Sequence, residues 1–585
     1  MRSAVLTASV LLCALGGSRA FATSLADEAA PTGYGYRDAS GTIDTRNHGD
    51  LRVSIRTSAL KPERGYTPID VVLHNTGLVP LQVRLTFQGH SNSAPRTSER
   101  TVEVPPQRRL VTWLPVPATV QAGSIQVESP GLTPQTLLAH IPVYVERSTG
   151  GTVLVLGTLK DFDDTSGVPR VEATGSPLFS VRTVDPRDAP RELASYVGYS
   201  VVMVPGDLAS VPADVWAVLE SYVLSGGRLV LPQVSSSLTE HLPLFTAEGS
   251  RDAVPYGFGR VRLCGAALEC GQVLNAMLGE VIPGPVKPAG AAPRWERSNL
   301  LAGGITPLLD HANTPVGRFL LLIFAFVLAV GPGGLMLARR RGPVAVLVAV
   351  PLVSVLTCVA LVTWSVLVDG FAVHSARYSL TWLDAERSRA VTLGVSAWYA
   401  NVSSGPVRFP ATSALLAPDN ADEMLADLDW TNGLTVTHGF LPPRTYREWG
   451  EVAVLPSRAR LVVRREGGTV RVQNALGARL VQGYVRVGSQ SYYALPALED
   501  GAEGTLGEPL PAGATPVSQL VSSVGGPSLA EGRLSGGEVN FRAPLPEGGF
   551  IARLEGLGPA PSSAVDVELE AGMHLVRGQS EGGRP

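Results

Sequence analysis

Lysine is nearly absent from this 585-residue chain: of its 48 cationic side chains only Lys61, Lys160 and Lys287 are lysines, a bias of codon usage rather than of function. None of them follows a glycine-rich loop, which excludes a Walker-type phosphate cradle. The nine histidines are scattered without H-x-H or H-E-x-x-H spacing, so the usual zinc signatures are missing. Four cysteines are too few for a disulfide-dense scaffold. Charged residues make up 17% of the chain, and a net charge of −3 leaves no basic stripe for nucleic acid. What abounds is apolar or turn-forming: 45% hydrophobic residues, 63 Gly and 46 Pro, unlike a disordered or coiled-coil chain. At roughly 150 residues per domain, the length implies three or four units.

The first address signal is at the start. Arg2 precedes the apolar run Ala4 to Leu15, and small residues follow at Gly16, Gly17, Ser18, Ala20 and Ala22, the form of a secretory signal peptide over 1–22. A retained first membrane helix needs about 20 apolar residues and finds too few. Cys13 follows Leu12, where a lipoprotein signal has a small residue, so no lipid anchor is expected.

The second signal is a pair of uncharged runs, 319–338 and 344–368, each long enough to cross about 30 Å of hydrocarbon. Between them Arg339, Arg340 and Arg341 occupy a short turn, 339–343, and arginines in such a turn stay on the cytoplasmic side. Both large flanks then lie outside the cytoplasm, the side to which an export signal would send the N-terminus. The expected address is the bacterial inner membrane, crossed twice. Gly331-Pro332-Gly333-Gly334 should weaken or kink the first span. Neither span holds Asp, Glu, His or Lys, so no proton relay is indicated.

In the flanks, 23–50 reads as an extended lead-in. From Leu51 the period becomes two, with Leu81, Val83, Leu85 and Phe87 alternating with polar residues, and several short strands of this kind predict an immunoglobulin-like β-sandwich over 51–148. At Thr152 the pattern changes to continuous apolar strands, Val153 to Leu156 and Val201 to Val204, separated by amphipathic helices. One of these is read as capped by Ser210, with Val215, Val218, Leu219, Tyr222 and Val223 on one face. Strands and helices so arranged predict a parallel sheet covered on both faces over 151–285. A linker, 286–318, leads to the first span. After the second, 369–576 is again mainly β, with hairpins at Glu466-Gly467-Gly468 and Gly488-Ser489-Gln490, a short helix at 421–428, and a flexible tail at 577–585. The fold class is thus a multidomain membrane protein: sandwich, α/β domain, two-helix hairpin and a C-terminal mainly-β domain.

The run from a buried strand ending in Pro205-Gly206, through a helix, to Gly226-Gly227-Arg228-Leu229-Val230 resembles the class I glutamine-amidotransferase-like, flavodoxin-like domain. The order of all the segments, with Gly331-Pro332 and then Arg339-Arg340-Arg341, is similar to a family of functionally uncharacterised bacterial envelope proteins; this chain has Gly334-Leu335 where that family has Asn-Tyr.

Residues with possible chemistry are few. An amidotransferase needs a cysteine on a glycine-flanked elbow activated by a distant histidine. Cys264 before Gly265 is the nearest match, yet Arg262 and Ala266 replace the elbow glycines and no His-x-Glu pair follows. The competing reading pairs Cys264 with Cys270 as a disulfide in an oxidising compartment. Asp161, Asp163 and Asp164 follow the first α/β strand, where open parallel sheets bind ligands, and are read either as a cation loop or as a solvated loop with capping residues. Trp382 and Trp398 suit sugar stacking or, more commonly, core packing. The expected function is a non-enzymatic envelope scaffold or binding protein without cofactor, with the lipid bilayer and other envelope proteins as partners and no nucleic acid. The rivals are an accessory subunit of a transport or secretion machine and an enzyme with a nonstandard site in the α/β domain.

Overall fold

The computed structural model describes residues 35–582, apart from 57–64, 118–121, 130–136, 140–150, 172–178, 233–237, 245–253, 279–308, 310–315, 365–371, 417–426, 525–540 and a few single or paired residues. The signal segment 1–22 lies outside the described residues.

The apolar run Thr152–Leu156 is buried along its whole length because it is sandwiched between two layers. Val153 and Val155 face a core with Phe162, Leu274 and Met277, while Leu154 and Leu156 face another with Trp216, Leu219 and Tyr222. The seven-stranded sheet runs Tyr36–Asp38, Phe179–Val184, Thr152–Leu156, Val201–Met203, Arg228–Leu231, Gly259–Leu263, Val254–Tyr256. All its pairings are parallel except the last. Helices Leu159–Ser166 and Ala267–Leu278 contribute to the first core and Ala213–Leu224 to the second. Pro212 precedes Ala213–Leu224 without a side-chain cap; Ser210 instead ends a separate 3₁₀ turn, Leu208–Ser210, which Asp207 caps.

The lead-in 23–50 is structured where it is described. Tyr36–Asp38 forms the edge strand beside Phe179–Val184, and Ile43–His48 pairs with Leu51–Arg56. Tyr36 is fully buried, edge-on to Phe162 at 5.0 Å, and that anchor places a three-residue strand too short to leave a pattern.

Around Leu51–Arg56 and Tyr66–Asn75 the period-two residues meet as two sheets over one core. The four-stranded sheet is Ile43–His48, Leu51–Arg56, Tyr66–Asn75, Arg109–Pro117. The seven-stranded sheet draws on both sides of the apolar helices. Leu81–Ser91, Ala94–Val104, Ala122–Glu128 and Leu137–Ala139 continue into Asp427–Asp429, Leu434–His438 and Val407–Phe409. At the junction Leu428 pairs in parallel with Ser98, and the Trp430 backbone N–H donates to Glu99 O at 2.8 Å. The Trp430 indole donates to Ser98 Oγ at 3.1 Å, and Ser98 Oγ–H donates to Pro115 O at 2.7 Å. Thr97 Oγ1 reaches Asp427 Oδ1 at 2.6 Å across 330 residues of chain. The C-terminal region is therefore not a separate domain. Leu428, expected in a helix at 421–428, lies on a strand because its backbone continues this ladder, and 421–426 falls outside the described residues.

The remaining C-terminal strands make an eight-stranded sheet, with Val373–Asp384 between Arg389–Ala400 and Glu568–Gln579, and a three-stranded sheet, Arg460–Glu466, Thr469–Ala475, Glu503–Thr505. The expected tail at 577–585 is ordered through its first residues. Arg577 is buried, donates from Nη1 to Phe541 O at 2.7 Å and lies over the Trp382 ring, and Val463 N–H donates to Glu581 O.

The eight-stranded sheet shares its core with the α/β layer and with Trp113 of the N-terminal sheet. Phe258 stacks on Phe541 at 5.3 Å, and Glu220 accepts from Arg389 Nη1 and Nη2 at 2.8 and 2.7 Å and from the Tyr256 hydroxyl at 2.6 Å. Burial opposes charge on Glu220, but these donors outweigh it and hold its pKa below the usual value.

Among the described residues two helices are long and apolar enough to cross a membrane, and none of those residues buries their apolar windows. The first comprises Val316–Leu328, a π-helical turn Ala329–Gly333 holding Pro332, and Gly334–Arg341, so its start overlaps the expected linker 286–318. The proline, lacking an N–H, is absorbed by the wider turn. The second is Pro343–Trp364. Arg339, Arg340 and Arg341 belong to the last helical turn, where cations complement the helix dipole, and Gly342 at φ +87° makes the reversal.

Trp430→Ala should remove the indole that bridges the two flanks, at a cost of about 3–5 kcal/mol. Limited proteolysis should then cut both flanks faster; protection of the N-terminal strands with cleavage confined to the C-terminal region would contradict a shared sheet.

Candidate functional site at the carboxyl end of the parallel sheet

Ligands of open parallel sheets gather where the strands end, so Gly157, Pro205-Gly206 and Cys264-Gly265 mark the place to examine. Asp161, Asp163 and Asp164 stand there on helix Leu159–Ser166, not on a loop. Thr158 caps that helix and Asp161 completes a capping box: Thr158 Oγ1 accepts from Asp161 N at 3.2 Å, and Asp161 Oδ2 accepts from Thr158 N at 2.9 Å and from Thr158 Oγ1 at 2.6 Å. The Thr158 hydrogen bonds lower the Asp161 pKa. Asp163 accepts the Tyr36 hydroxyl at 2.5 Å, and burial, then that bond, pushes the phenol pKa up. Asp164 is exposed. The three carboxylates therefore point to separate tasks, and among the described residues no group of three or more His, Cys, Asp or Glu could hold a metal ion.

The other two strand ends follow the same rule. Asp207 accepts from Ala209 N at 3.0 Å, and Glu269 accepts from Gly265 N at 3.2 Å. Such carboxylates take the position an anionic ligand would use, since helix N-termini attract anions through free N–H groups and the dipole. At all three ends the carboxylate comes from the chain itself, which disfavours a nucleotide or phosphate. The space over Gly206 is open, with nothing within 4 Å of an added Cβ.

Cys264 and Cys270 form a disulfide with Cα atoms 5.0 Å apart, linking the end of Gly259–Leu263 to the start of Ala267–Leu278. A sulfur in that bond has no thiolate to offer as nucleophile. Trp382 and Trp398 are packing residues: Trp382 lies under Arg577 and beside Phe258, and Trp398 is buried against Phe440 at 5.5 Å. Arg339, Arg340 and Arg341 sit on the apolar hairpin and contribute nothing to this site.

A polar row that the sequence reading missed crosses the eight-stranded sheet. In cross-strand register lie His574, Ser379, Gly394 and Glu451, with Arg377 one pair away. Ser379 Oγ and His574 Nδ1 are 2.7 Å apart, Arg377 Nε donates to Ser396 Oγ at 3.0 Å, and Arg377 Nη2 lies 3.4 Å from Glu451 Oε2. His574 Nε2 and Arg377 Nη1 are buried without a hydrogen-bond partner among the described residues. Burial, and then the Arg377 charge, pushes the His574 pKa down to about 4, while burial raises that of Glu451. The row resembles a Ser–His pair only in composition, because it is closed to solvent.

No protein-family model matches the chain, and no curated protein matches it in sequence.

Thr158→Ala should lower stability by about 1 kcal/mol in denaturant melts, the usual cost of an N-cap. The row makes a second, signed prediction. An unfolded histidine takes up a proton below about pH 6.5, whereas folded His574 resists protonation down to about 4. Its contribution is thus complete above pH 6.5 and is lost as the pH falls toward 4, by roughly 3 kcal/mol. Glu451 acts in the opposite sense, so His574→Gln is the control: it should flatten the fall in melting temperature between pH 6.5 and 4.5. Identical slopes in the two proteins would refute the assignment.

Proposed function

We propose that the chain is a non-enzymatic, double-pass envelope protein of the inner membrane whose two flanks fold together outside the cytoplasm as a binding or scaffolding body. The observation that carries this reading is the pairing of Ala94–Val104 with Asp427–Asp429, which lie on opposite sides of the two apolar helices in sequence. Strands hydrogen-bonded in one sheet occupy one side of a bilayer, so two crossings between them fit and one does not. Arg339, Arg340 and Arg341 at the hairpin tip favour the cytoplasm for the tip. The Cys264–Cys270 bridge favours an oxidising compartment for the flanks.

The strand order supports a flavodoxin-like reading of the α/β layer. Numbered along the chain from Thr152–Leu156, its five principal strands lie 2-1-3-4-5. The two N-terminal sheets over a common core support a β-sandwich, extended by strands from the far side of the hairpin. The family similarity drawn from segment order remains part of this proposal. Self-capped helix ends and a bridged Cys264 argue against amidotransferase chemistry, and a scaffold in contact with other envelope proteins is the reading that remains.

Reporters inserted at Gly342 and fused after Glu581 test the topology: the first should be active only in the cytoplasm, the second only outside it. A cytoplasmic C-terminus would overturn the proposal. Thiol labelling of the denatured protein without reductant should leave Cys264 and Cys270 unmodified while labelling Cys358, which is free and exposed.

A further inference from the structure

Beside the three-stranded sheet, four connections converge on a groove of about 360 Å³. Three of its glycines adopt left-handed backbone: Gly477 at φ +79°, Gly501 at +80° and Gly558 at +53°. A Cβ on Gly558 would lie 2.5 Å from Leu554 Cδ1 and 3.0 Å from Leu476 O, so only glycine lets these loops approach so closely. Over Gly501 nothing lies within 4 Å of an added Cβ, so the groove is open there. Loop clusters held by a rigid β framework are common places for recognition.

The lining carries one cation and one anion. Arg458 is exposed and has no hydrogen-bond or ion-pair partner among the described residues. Asp500 accepts from Gly477 N at 2.9 Å through Oδ1, which orients the carboxylate and leaves Oδ2 for another donor. Among the described residues no aromatic ring lines the groove, so neither a sugar face nor a nucleobase finds a stacking partner there. Ala459, Leu476 and Pro559 offer small apolar contacts instead.

We propose that this groove binds short zwitterionic aliphatic peptides, Arg458 taking the carboxylate, Asp500 the ammonium, and the small apolar residues the side chains between. A guanidinium suits a carboxylate through paired N–H donors. The volume lies within the range of small-ligand pockets. The proposal is independent of membrane topology and stands or falls separately from it.

Calorimetric titration of the full chain in detergent with tri-alanine tests it, alongside N-acetyl-tri-alanine, tri-alanine amide and glucuronate. Tri-alanine should bind saturably, and capping either end should weaken it about tenfold, the loss of one charge-assisted contact. Arg458→Gln should weaken tri-alanine and the N-acetyl form about tenfold but leave the amide unchanged, and Asp500→Asn should weaken tri-alanine and the amide but leave the N-acetyl form unchanged. Arg458→Lys, which keeps the charge and loses the fork, should fall between, and unchanged melting temperatures show that each variant is folded. No saturation up to about 20 mM, equal affinity for free and capped peptides, or tighter binding of glucuronate would each overturn the proposal.

Discussion

Everything in this molecule depends on a hydrogen-bonded seam between strands 330 residues apart. Backbone N–H and C=O groups buried in a sheet must be paired, so Ala94–Val104 cannot leave its outer edge bare beneath Trp430 without penalty. That requirement draws in Asp427–Asp429, which brings Leu434–His438 and Val407–Phe409 with it. The Tyr66 hydroxyl, donating to Leu415 O at 2.6 Å, adds a second tie from the N-terminal sheet to the strand Ser413–Leu416. The apolar hairpin leaves and rejoins a body that is already continuous.

Charge is used at the contacts between the layers as well as at the surface. Arg182 is fully buried, donates to Pro68 O at 2.6 Å, stands 5.1 Å from the centre of the Trp113 ring and lies 3.6 Å from Asp70, whose pKa burial raises. Arg100 and Glu192 meet at 2.5 Å nearby. Buried pairs of this kind add little net stability over an apolar replacement, but removing one partner is expensive because the other charge is stranded. They act as registration marks that let the N-terminal sheets dock in one orientation.

How much of this was legible depended on the range of the interaction. Val153 to Leu156 announced a buried strand because both neighbouring layers are apolar, and the alternation from Leu81 to Phe87 announced a half-covered one. Tyr36–Asp38 was hidden because a three-residue strand carries no period and its partner is far along the chain. Ser375, Arg377, Ser379 and Thr381 alternate like a solvent-facing row, yet all four are buried, which no local pattern encodes. At the strand ends the residue types were visible and the roles were not. Asp161 looked like a member of an acidic loop because helix Leu159–Ser166 has only Phe162 as a large buried anchor.

The seam also sets a timetable. A ribosome delivers the chain from its N-terminus, so Ala94–Val104 emerges long before the residues that will cover its edge, and both long apolar helices fall in the interval. Until the strands from Val407 to His438 have been made, the early strands expose a bare ladder of the kind that recruits neighbouring chains. Truncation of the chain before Asp427 would therefore leave an adhesive N-terminal fragment rather than a smaller working protein, and the growing chain depends on being shielded while it waits for the strands that cover that edge.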